Sequence, residues 1–204
     1  MRIGIVCYPT YGGSGVVATE LGLALAAKGH QIHFITYKRP VRLTHYQENV
    51  FFHEVNTEEY PLFDYTPYDT TLTSKLVDVV KYEKLDLLHV HYAIPHATVA
   101  YLAKQILADE GIHIPVVTTL HGTDITLVGS DRSFAPVVAF SINKSDGVTA
   151  VSNHLRQQTC TQLKIKKEIE VIYNFIDFSR FSRLNKEHFR KAIAPEGEKI
   201  LVHT

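Results

Sequence analysis

The sequence predicts an α/β protein built on a doubly wound, Rossmann-like parallel β-sheet. Segments with strand-like and helix-like patterns alternate along the chain almost without exception. Most of the strand-like segments are continuously apolar, which is typical of parallel strands that helices cover on both faces. With 204 residues, of which 45% are hydrophobic, the chain is long enough to bury a sizeable core.

The first half of the chain begins with a strand, a glycine cluster and a helix. A short apolar run starts at Arg2, passes through Gly12-Gly13-Ser14-Gly15 and continues into residues 16–28, where apolar positions recur at three- and four-residue spacing. This spacing predicts an amphipathic helix, which Gly29 ends. The patterns that follow predict strands over 31–36 and 50–55, a long loop over 56–70 and a helix over 71–84.

The second half of the chain continues the alternation. The predicted strands cover residues 85–91, 114–120, 147–151 and 168–173. The predicted helices cover residues 97–110, residues 134–144 and a segment that ends at Gln162. Ser152 and Asn153 precede the last of these helices, and both residue types favour the N-cap position.

The end of the sequence differs from the rest. Residues 179–198 are rich in charge and contain Pro195 and Gly197, whereas the next few residues resemble the start of another strand. We therefore expect an N-terminal domain over 1–178, an interdomain linker over 179–198, and the first strand of a second α/β domain over 199–204.

Composition and charge argue against several classes of function. The formal net charge is zero, which gives no indication of a surface for nucleic acid or of a polybasic membrane patch. No apolar run approaches the about 20 residues of a membrane span, and the N-terminus lacks the pattern of a signal peptide. Two cysteines are too few for a disulfide framework, so we expect a cytoplasmic protein. The composition leaves a homo-oligomer open.

Polar clusters follow four of the predicted strands. They are the glycine cluster 12–15, Tyr92, the segment from Thr119 to Asp124 and the segment from Asn174 to Asp177. Because ligands of doubly wound folds bind beyond the carboxyl ends of the strands, we expect these clusters to converge on one rim. The glycine cluster favours an anion, since backbone N–H groups and the helix dipole both act at a helix N-terminus.

A nicotinamide dinucleotide is one alternative ligand. Gly13-x-Gly15-x-x-Ala18 matches the dinucleotide fingerprint, which requires a tight turn directly after the strand. Here about five residues separate the strand from the glycines, and no acidic residue for a ribose follows the second strand. The sequence therefore disfavours this ligand.

A metal site is a second alternative. His89 and His91 share one face of a predicted strand and His96 follows, so His121 or Asp124 could complete a zinc or iron site. Buried histidines at strand ends more often hydrogen-bond to backbone or to neighbouring side chains. We therefore predict no metal at this position.

Five motifs together resemble a known family. They are Tyr8-Pro-x-x-Gly-Gly-Ser-Gly15, His89-x-His-Tyr-Ala-x-Pro-His96, Thr118-Thr-Leu-His-Gly-Thr-Asp124, Thr149-Ala-Val-Ser152 and Ile172-Tyr-Asn-Phe-Ile-Asp177. Their order and spacing are similar to those in the N-terminal half of retaining glycosyltransferases of family 4, which have the GT-B fold. More narrowly, the chain resembles the members of this family that act in bacillithiol biosynthesis, and the resemblance covers essentially the whole chain.

The resemblance implies an activity and two small-molecule partners. The activity is transfer of N-acetylglucosamine from UDP-N-acetylglucosamine to the hydroxyl of L-malate, with retention and without a metal or other cofactor. In such enzymes the N-terminal domain holds the acceptor and the C-terminal domain holds most of the nucleotide sugar. Since the C-terminal features of the family are missing from this sequence, we expect the chain alone to be catalytically inactive.

The resemblance also implies which residues form the site. Malate is a dianion, and the amides of Gly13, Ser14 and Gly15 suit a carboxylate. Ser14, Tyr92 and Thr119 are the expected contacts to the acceptor.

His121 matches the histidine that in related transferases contacts the donor sugar near its C6 hydroxyl. We expect it to be the catalytic residue, and to position the donor rather than act as a general base. Thr123, Asp124 and Asn174 are expected to line the cleft.

The sequence leaves two questions open. A cation for malate is expected, and Arg42, Lys75 and Arg132 are all candidates. Two other functions also remain: a related transferase with another small acceptor, such as an inositol phosphate or a sugar, and a free-standing module that binds a small anion.

Overall fold

The computed structural model describes residues 1–57, 67–129, 131–178, 181–182 and 184–202. The chain forms two compact units, residues 1–173 and 174–204. Part of the predicted loop 56–70 lies outside the described residues, as do positions 130, 179–180, 183 and 203–204.

The first unit is built on a seven-stranded sheet in which all neighbouring strands are parallel. Its strands are β1 (Arg2–Val6), β2 (Gln31–Thr36), β3 (Val50–Glu54), β4 (Leu87–His91), β5 (Val116–Leu120), β6 (Gly147–Ala150) and β7 (Glu170–Val171). Their order across the sheet is β3-β2-β1-β4-β5-β6-β7. The strand order reverses between β1 and β4, which creates a crevice at the carboxyl ends of these strands. The predicted doubly wound, Rossmann-like fold class is confirmed.

Five helices of the first unit connect these strands within the described residues. They are α1 (Gly13–Ala27), α2 (Tyr68–Glu83), α3 (Thr98–Asp109), α4 (Ala135–Lys144) and α5 (Asn153–Gln162). Two short turns of π-type, Ala93–Ala97 and Asp124–Val128, follow β4 and β5. The Ser152 side chain caps α5 by accepting a hydrogen bond from the Leu155 amide at 3.1 Å, so the predicted N-cap is confirmed.

Apolar residues on both faces of the sheet hold the helices in place. Ile5 and Phe34 are fully buried with residues of α1 on one face, whereas Val6 and Leu88 are buried with residues of α2 and α3 on the other. A third apolar cluster joins the ends of β5 and β6 to α4 and α5. Because side chains alternate along a strand, both faces of β1 need an apolar cover.

Several elements begin or end at different residues than predicted. Helix α1 already starts at Gly13, because Gly12 in an extended conformation serves as its N-cap. Strand β5 starts only after Pro115, which has no N–H to donate to the ladder. Strand β7 has two residues rather than six, and it pairs on one side with β6 only.

The second unit contains the helix α6 (Glu187–Ile193), which lies inside the predicted linker 179–198. Residues 199–202, the described part of the predicted strand, form no strand. Among the described residues, no helix is long and apolar enough to span a membrane.

Candidate functional site

Four residues with aromatic rings lie together at the carboxyl ends of β1, β4 and β5. The His121 ring stacks on the Tyr92 ring with centroids 5.6 Å apart, and on the His91 ring at 5.1 Å. The Tyr92 ring meets the Tyr8 ring edge-on at 5.3 Å, and Tyr8 follows β1. Since β1, β4 and β5 are neighbours in the sheet, these contacts build one continuous wall at the switch point. The predicted approach of Tyr92 to His121 is confirmed.

A chain of hydrogen bonds orients the His121 ring. His91 Nδ1 lies 2.8 Å from His121 Nε2, and His96 Nδ1 lies 2.6 Å from the His91 carbonyl oxygen. His91 Nε2 is buried without a partner in the described part of the chain. A buried lone pair costs less than a buried, unpaired N–H, so we assign the His91 proton to Nδ1, which then donates to His121. His121 therefore carries its proton on Nδ1, as a neutral donor.

Burial keeps the histidines of this wall uncharged at neutral pH. Desolvation lowers the pKa of His89, His96 and His121 to about 4. It also lowers the pKa of His91 well below its usual range, with His89, His121 and His96 adding to the effect. A group with such a low pKa is a poor general base at neutral pH. The geometry therefore agrees with a positioning role for His121.

Asp124 connects the turns that follow β4 and β5. It is fully buried, and its carboxylate accepts hydrogen bonds from the amides of Gly122 at 2.9 Å, His121 at 3.2 Å and Ala93 at 3.2 Å. Burial raises the pKa of this carboxyl group, whereas the amide hydrogen bonds act in the opposite direction. The prediction that Asp124 lines the cleft is therefore wrong, because both oxygens face backbone N–H groups.

Thr119 also makes its contacts inside the protein. Its Oγ1 lies 2.7 Å from His89 Nε2 and 2.7 Å from Thr149 Oγ1, and only 8% of the residue is exposed. The hydroxyl joins β4, β5 and β6 at their carboxyl ends. Because these two partners already occupy most of the capacity of the hydroxyl and little of the residue is exposed, the predicted contact of Thr119 with an acceptor stays a prediction.

Tyr92 adopts an unusual backbone conformation at the end of β4. Its φ of 88° lies in a region that residues with a side chain rarely adopt, at a cost of about 1–3 kcal/mol. The Tyr92 amide donates to the Thr119 carbonyl at 3.0 Å, and the Tyr92 hydroxyl lies 2.5 Å from Oγ1 of the exposed Thr123. These contacts fix the half-buried ring over His121. Tyr92 and Thr123 are thus on the accessible side of the wall, and their contact with a substrate stays a prediction.

The glycine cluster forms the first turn of α1. The Gly12 carbonyl accepts hydrogen bonds from the amides of Gly15 at 3.1 Å and Val16 at 3.2 Å. In the part of the chain that the structure describes, the amides of Gly13 and Ser14 have no acceptor. A Cβ atom on Gly15 would lie 2.4 Å from the Tyr8 carbonyl oxygen and 2.5 Å from that of Thr10. Gly13 and Ser14 can therefore offer N–H groups to an anion, whereas Gly15 serves the close packing of the turn.

Tyr8 is a member of this wall that the sequence did not single out. It contacts the Tyr92 ring and the His96 ring, the latter at 4.6 Å, and its carbonyl packs against Gly15. Burial raises the pKa of the Tyr8 phenol to about 12, with Tyr37, Tyr92 and two carboxylates adding to the effect. The sequence signals for Tyr8 were its place at the start of the first of the five motifs and its position shortly after an apolar strand.

The three candidate cations differ in their surroundings. Arg42 forms an ion pair with Glu20 of α1 at 2.7 Å. Lys75 acts electrostatically on His53, a residue of β3. Arg132 is exposed in the segment before α4. The structure brings none of these three, among its described residues, into hydrogen-bonding contact with Ser14 or Tyr92. Asn174 belongs to the second unit, so its role in the cleft stays a prediction.

The described residues do not form the zinc or iron site that the sequence raised as an alternative. His89 is bonded to Thr119, His96 to a backbone carbonyl, and Asp124 to three amides. Only the nitrogens of His91 and His121 face each other.

Comparisons with known proteins show which proteins the chain is similar to. The profile of the family described as Glycosyltransferase Family 4 matches residues 11–180. N-acetyl-alpha-D-glucosaminyl L-malate synthase of Bacillus anthracis is 51% identical over 204 residues, which is all of this chain and 53% of that protein. The chain spans about half the length of the curated relatives it matches.

Solved structures support the fold. A glycosyltransferase from Rickettsia africae matches 95% of the chain with a TM-score of 0.69 and 22% identity, over 48% of its own length. Anabaena HepE, solved in complex with UDP-glucose, matches 97% of the chain with a TM-score of 0.69 and 15% identity, over 50% of its own length. At this level of identity the likeness concerns the fold alone.

Proposed function

The chain belongs to glycosyltransferase family 4, and from this premise we propose that the full-length protein transfers N-acetylglucosamine from UDP-N-acetylglucosamine to the hydroxyl of L-malate. The observation that carries the proposal is the 51% identity to the Bacillus anthracis synthase, which extends over the whole chain. In this proposal the first unit holds the acceptor, and the donor is held mainly by the part of such a synthase that this chain does not span.

The reaction is a displacement at the anomeric carbon with retention. The bond from this carbon to the diphosphate breaks, the bond to the malate hydroxyl oxygen forms on the same face, and the hydroxyl proton passes to the leaving diphosphate. Such a step needs no protein nucleophile, and it depends on positioning and charge stabilisation. A neutral His121 suits this mechanism, since it can donate a hydrogen bond to a sugar hydroxyl without changing the charge of the site.

The residues of the first unit divide into two functional groups. The amides of Gly13 and Ser14, at the N-terminus of α1, would receive a carboxylate of malate. The Tyr92 ring and the Thr123 hydroxyl, which are linked by a hydrogen bond, would border the space between this carboxylate and the donor. His121 would hold the donor sugar from below the Tyr92 ring.

The protein is proposed to work in the cytoplasm. Its cysteines, Cys7 and Cys160, are both free, as is usual in a reducing compartment. Burial raises the pKa of the Cys7 thiol to about 12, so this side chain is an inert core residue.

The test is an assay of UDP release by the full-length protein. It is incubated with UDP-N-acetylglucosamine and, separately, with L-malate, an inositol phosphate or simple sugars. We expect malate to give UDP release well above the level with buffer. If an inositol phosphate or a sugar gives the release instead, the chain is a transferase for that acceptor; if none does, the protein is not a transferase for this donor.

Variants of the wall test the assignment of residues. Ser14→Ala removes a hydroxyl beside the proposed carboxylate site but keeps the backbone amide, and Tyr92→Phe removes the hydroxyl that bonds to Thr123. Both are expected to raise the KM for malate, by at most about tenfold, and to change the KM for the donor less. Tyr82→Phe, which alters a phenol that is 82% exposed on α2, is the matched control and should leave both values unchanged. Equal effects on the two substrates would count against an acceptor-side role.

A further inference from the structure

A second cluster of titratable residues lies away from the wall described above. His33 of β2, His53 of β3 and Glu83 at the end of α2 each place one potential ligand atom within 4.8 Å of the others. Arg2, the first residue of β1, donates to the Glu83 carbonyl at 3.3 Å. Glu83 is therefore near the amino end of β1, whereas the proposed transferase site is at the carboxyl ends of β1, β4 and β5.

The separation of the two imidazole nitrogens suits a shared metal ion. His33 Nδ1 lies 2.9 Å from His53 Nε2, and the two ring planes differ by 18°. Two nitrogens that bind one Zn²⁺ at about 2.0–2.1 Å, with an angle of 90–110° between them, are roughly 2.9–3.4 Å apart. An ion could thus replace the hydrogen bond between the rings at nearly the same N–N separation, with both rings turning their lone pairs toward it.

The protonation state of both rings also suits a ligand. Burial lowers the pKa of His33 to about 4, with His53 and Arg2 lowering it further and Glu83 opposing them. Burial lowers the pKa of His53 as well. His33 Nε2 is buried without a partner among the described residues, so a metal ion at Nδ1 would leave the ring proton on a nitrogen without an acceptor, a cost that metal binding has to offset. Neutral imidazoles are the form that binds a metal ion.

The charges around the cluster limit which ion it can take. The Glu83 carboxylate favours a cation, whereas the positive charges of Arg2 and Lys75 act on His33 and His53 respectively and oppose one. Calcium and magnesium prefer oxygen ligands, so a set of two nitrogens and one carboxylate points to a first-row transition ion. A surface groove lined in part by His33 and Glu83 gives such an ion a path from solvent.

We propose that His33, His53 and Glu83 form a binding site for one divalent transition-metal ion, with Zn²⁺ as its representative. Strand β3 is at the edge of the sheet and pairs only with β2. The ion joins this edge strand and its neighbour to the end of α2. The three protein ligands leave a coordination position open for water. The three ligand residues are separate from the residues of the proposed transferase site.

The experiment uses the full-length protein, freed of any histidine tag and stripped of metal with a chelator. Co²⁺ is titrated while visible absorption is recorded, and Zn²⁺ affinity is measured by competition with a chromogenic chelator. We expect one ion per chain with a dissociation constant in the micromolar range. Zn²⁺ at 100 times this value should raise the melting temperature by about 5–10 °C.

Four variants decide the assignment. His53→Ala and Glu83→Gln should weaken Zn²⁺ binding at least about tenfold and, at the same Zn²⁺ concentration, reduce the melting-temperature shift to about half or less; Glu83→Gln keeps the test decisive if His53→Ala does not fold. His113→Ala removes an exposed histidine and should bind as the parent does. His121→Ala removes a histidine of the wall and tests whether the ion binds there instead. The proposal is overturned if the parent binds no ion, if binding survives both ligand variants, or if it is lost in His121→Ala.

Discussion

Replacing Gly15 by alanine tests whether the first turn of α1 positions the wall through Tyr8. An alanine Cβ would lie 2.4 Å from the Tyr8 carbonyl oxygen and 2.5 Å from the Thr10 carbonyl oxygen. Ordinary contacts of a Cβ atom begin near 3.4 Å, so the shortfall is 3.4 − 2.4 = 1.0 Å for Tyr8. Both obstacles are backbone atoms, which a change of rotamer cannot move. The loop between β1 and α1 must therefore shift by about 1 Å.

The magnitude follows from two opposing effects. Inserting a methyl group into a packed site costs about 1–3 kcal/mol, whereas alanine gains about 1 kcal/mol over glycine within a helix. The net loss of unfolding free energy is about 0–2 kcal/mol, which lowers the melting temperature of a domain of this size by up to about 8 °C. The effect on activity should be larger, because a 1 Å displacement in a reacting site can cost about 100-fold.

Gly13→Ala is the matched control. It makes the same chemical change two residues earlier in α1, where an added Cβ meets no atom within 4 Å. We expect it to leave the melting temperature unchanged or to raise it slightly. Melting curves and kcat/KM for malate are measured for both variants of the full-length protein. If Gly15→Ala matched Gly13→Ala in both measurements, the close packing of Gly15 on Tyr8 would have no role in the site.

Three further predictions concern the stability of the first unit. Asp124→Asn should lower the unfolding free energy in urea by about 1–3 kcal/mol, because the amide turns N–H groups toward backbone donors; an unchanged value would refute the buried role of this carboxylate. Ser152→Ala should cost about 1 kcal/mol through loss of the α5 cap, whereas the same change at Ser74, which is exposed within α2, should cost less. Stability should fall as the pH drops from 6.5 toward 4, by up to about 1.4 kcal/mol per pH unit for each buried histidine, since the unfolded chain binds protons that the folded rings do not. His113→Ala should leave this dependence of stability on pH unchanged. Stability that does not change with pH would contradict the conclusion that the buried histidines are neutral. The histidines with a folded pKa of about 4 are His33, His89, His96 and His121.

The sheet could be predicted because its signal is redundant. Each strand is marked by its own apolar run, and the glycines and prolines that bound it confirm the assignment. The boundaries could not be predicted as well, because the strand-like pattern of 168–173, in which Ile169, Val171 and Tyr173 alternate with other residues, is longer than the two residues that pair with β6. The length of a strand depends on the strand with which it pairs. The residue pattern within one segment contains no information about that partner strand.

The site could be predicted in outline but not in the direction of its side chains. The carboxyl ends of adjacent strands must meet, and Tyr92 and His121 do meet. Whether a short polar side chain there faces a ligand or the backbone depends on the dihedral angles of the turn, such as the φ of 130° at Gly122. That conformation brings the amides of His121 and Gly122 to Asp124. Nothing in the spacing of Thr-Leu-His-Gly-Thr-Asp indicates this inward direction.

The electrostatics of the wall favour different ligands for its two groups of residues, in agreement with the roles proposed for them. His91 and His121 are neutral, the Tyr8 phenol has a raised pKa, and the Asp124 carboxylate is turned inward. A wall of this kind can donate hydrogen bonds to hydroxyl groups, but it offers no charge to offset a dianion. The free amides at the start of α1 provide a partial positive charge, equivalent to about half an elementary charge. A negatively charged acceptor is therefore favoured at the glycine turn, and an uncharged sugar ring beside His121. The same separation predicts that added salt weakens the binding of malate more than that of the sugar moiety, since only the former depends on charge.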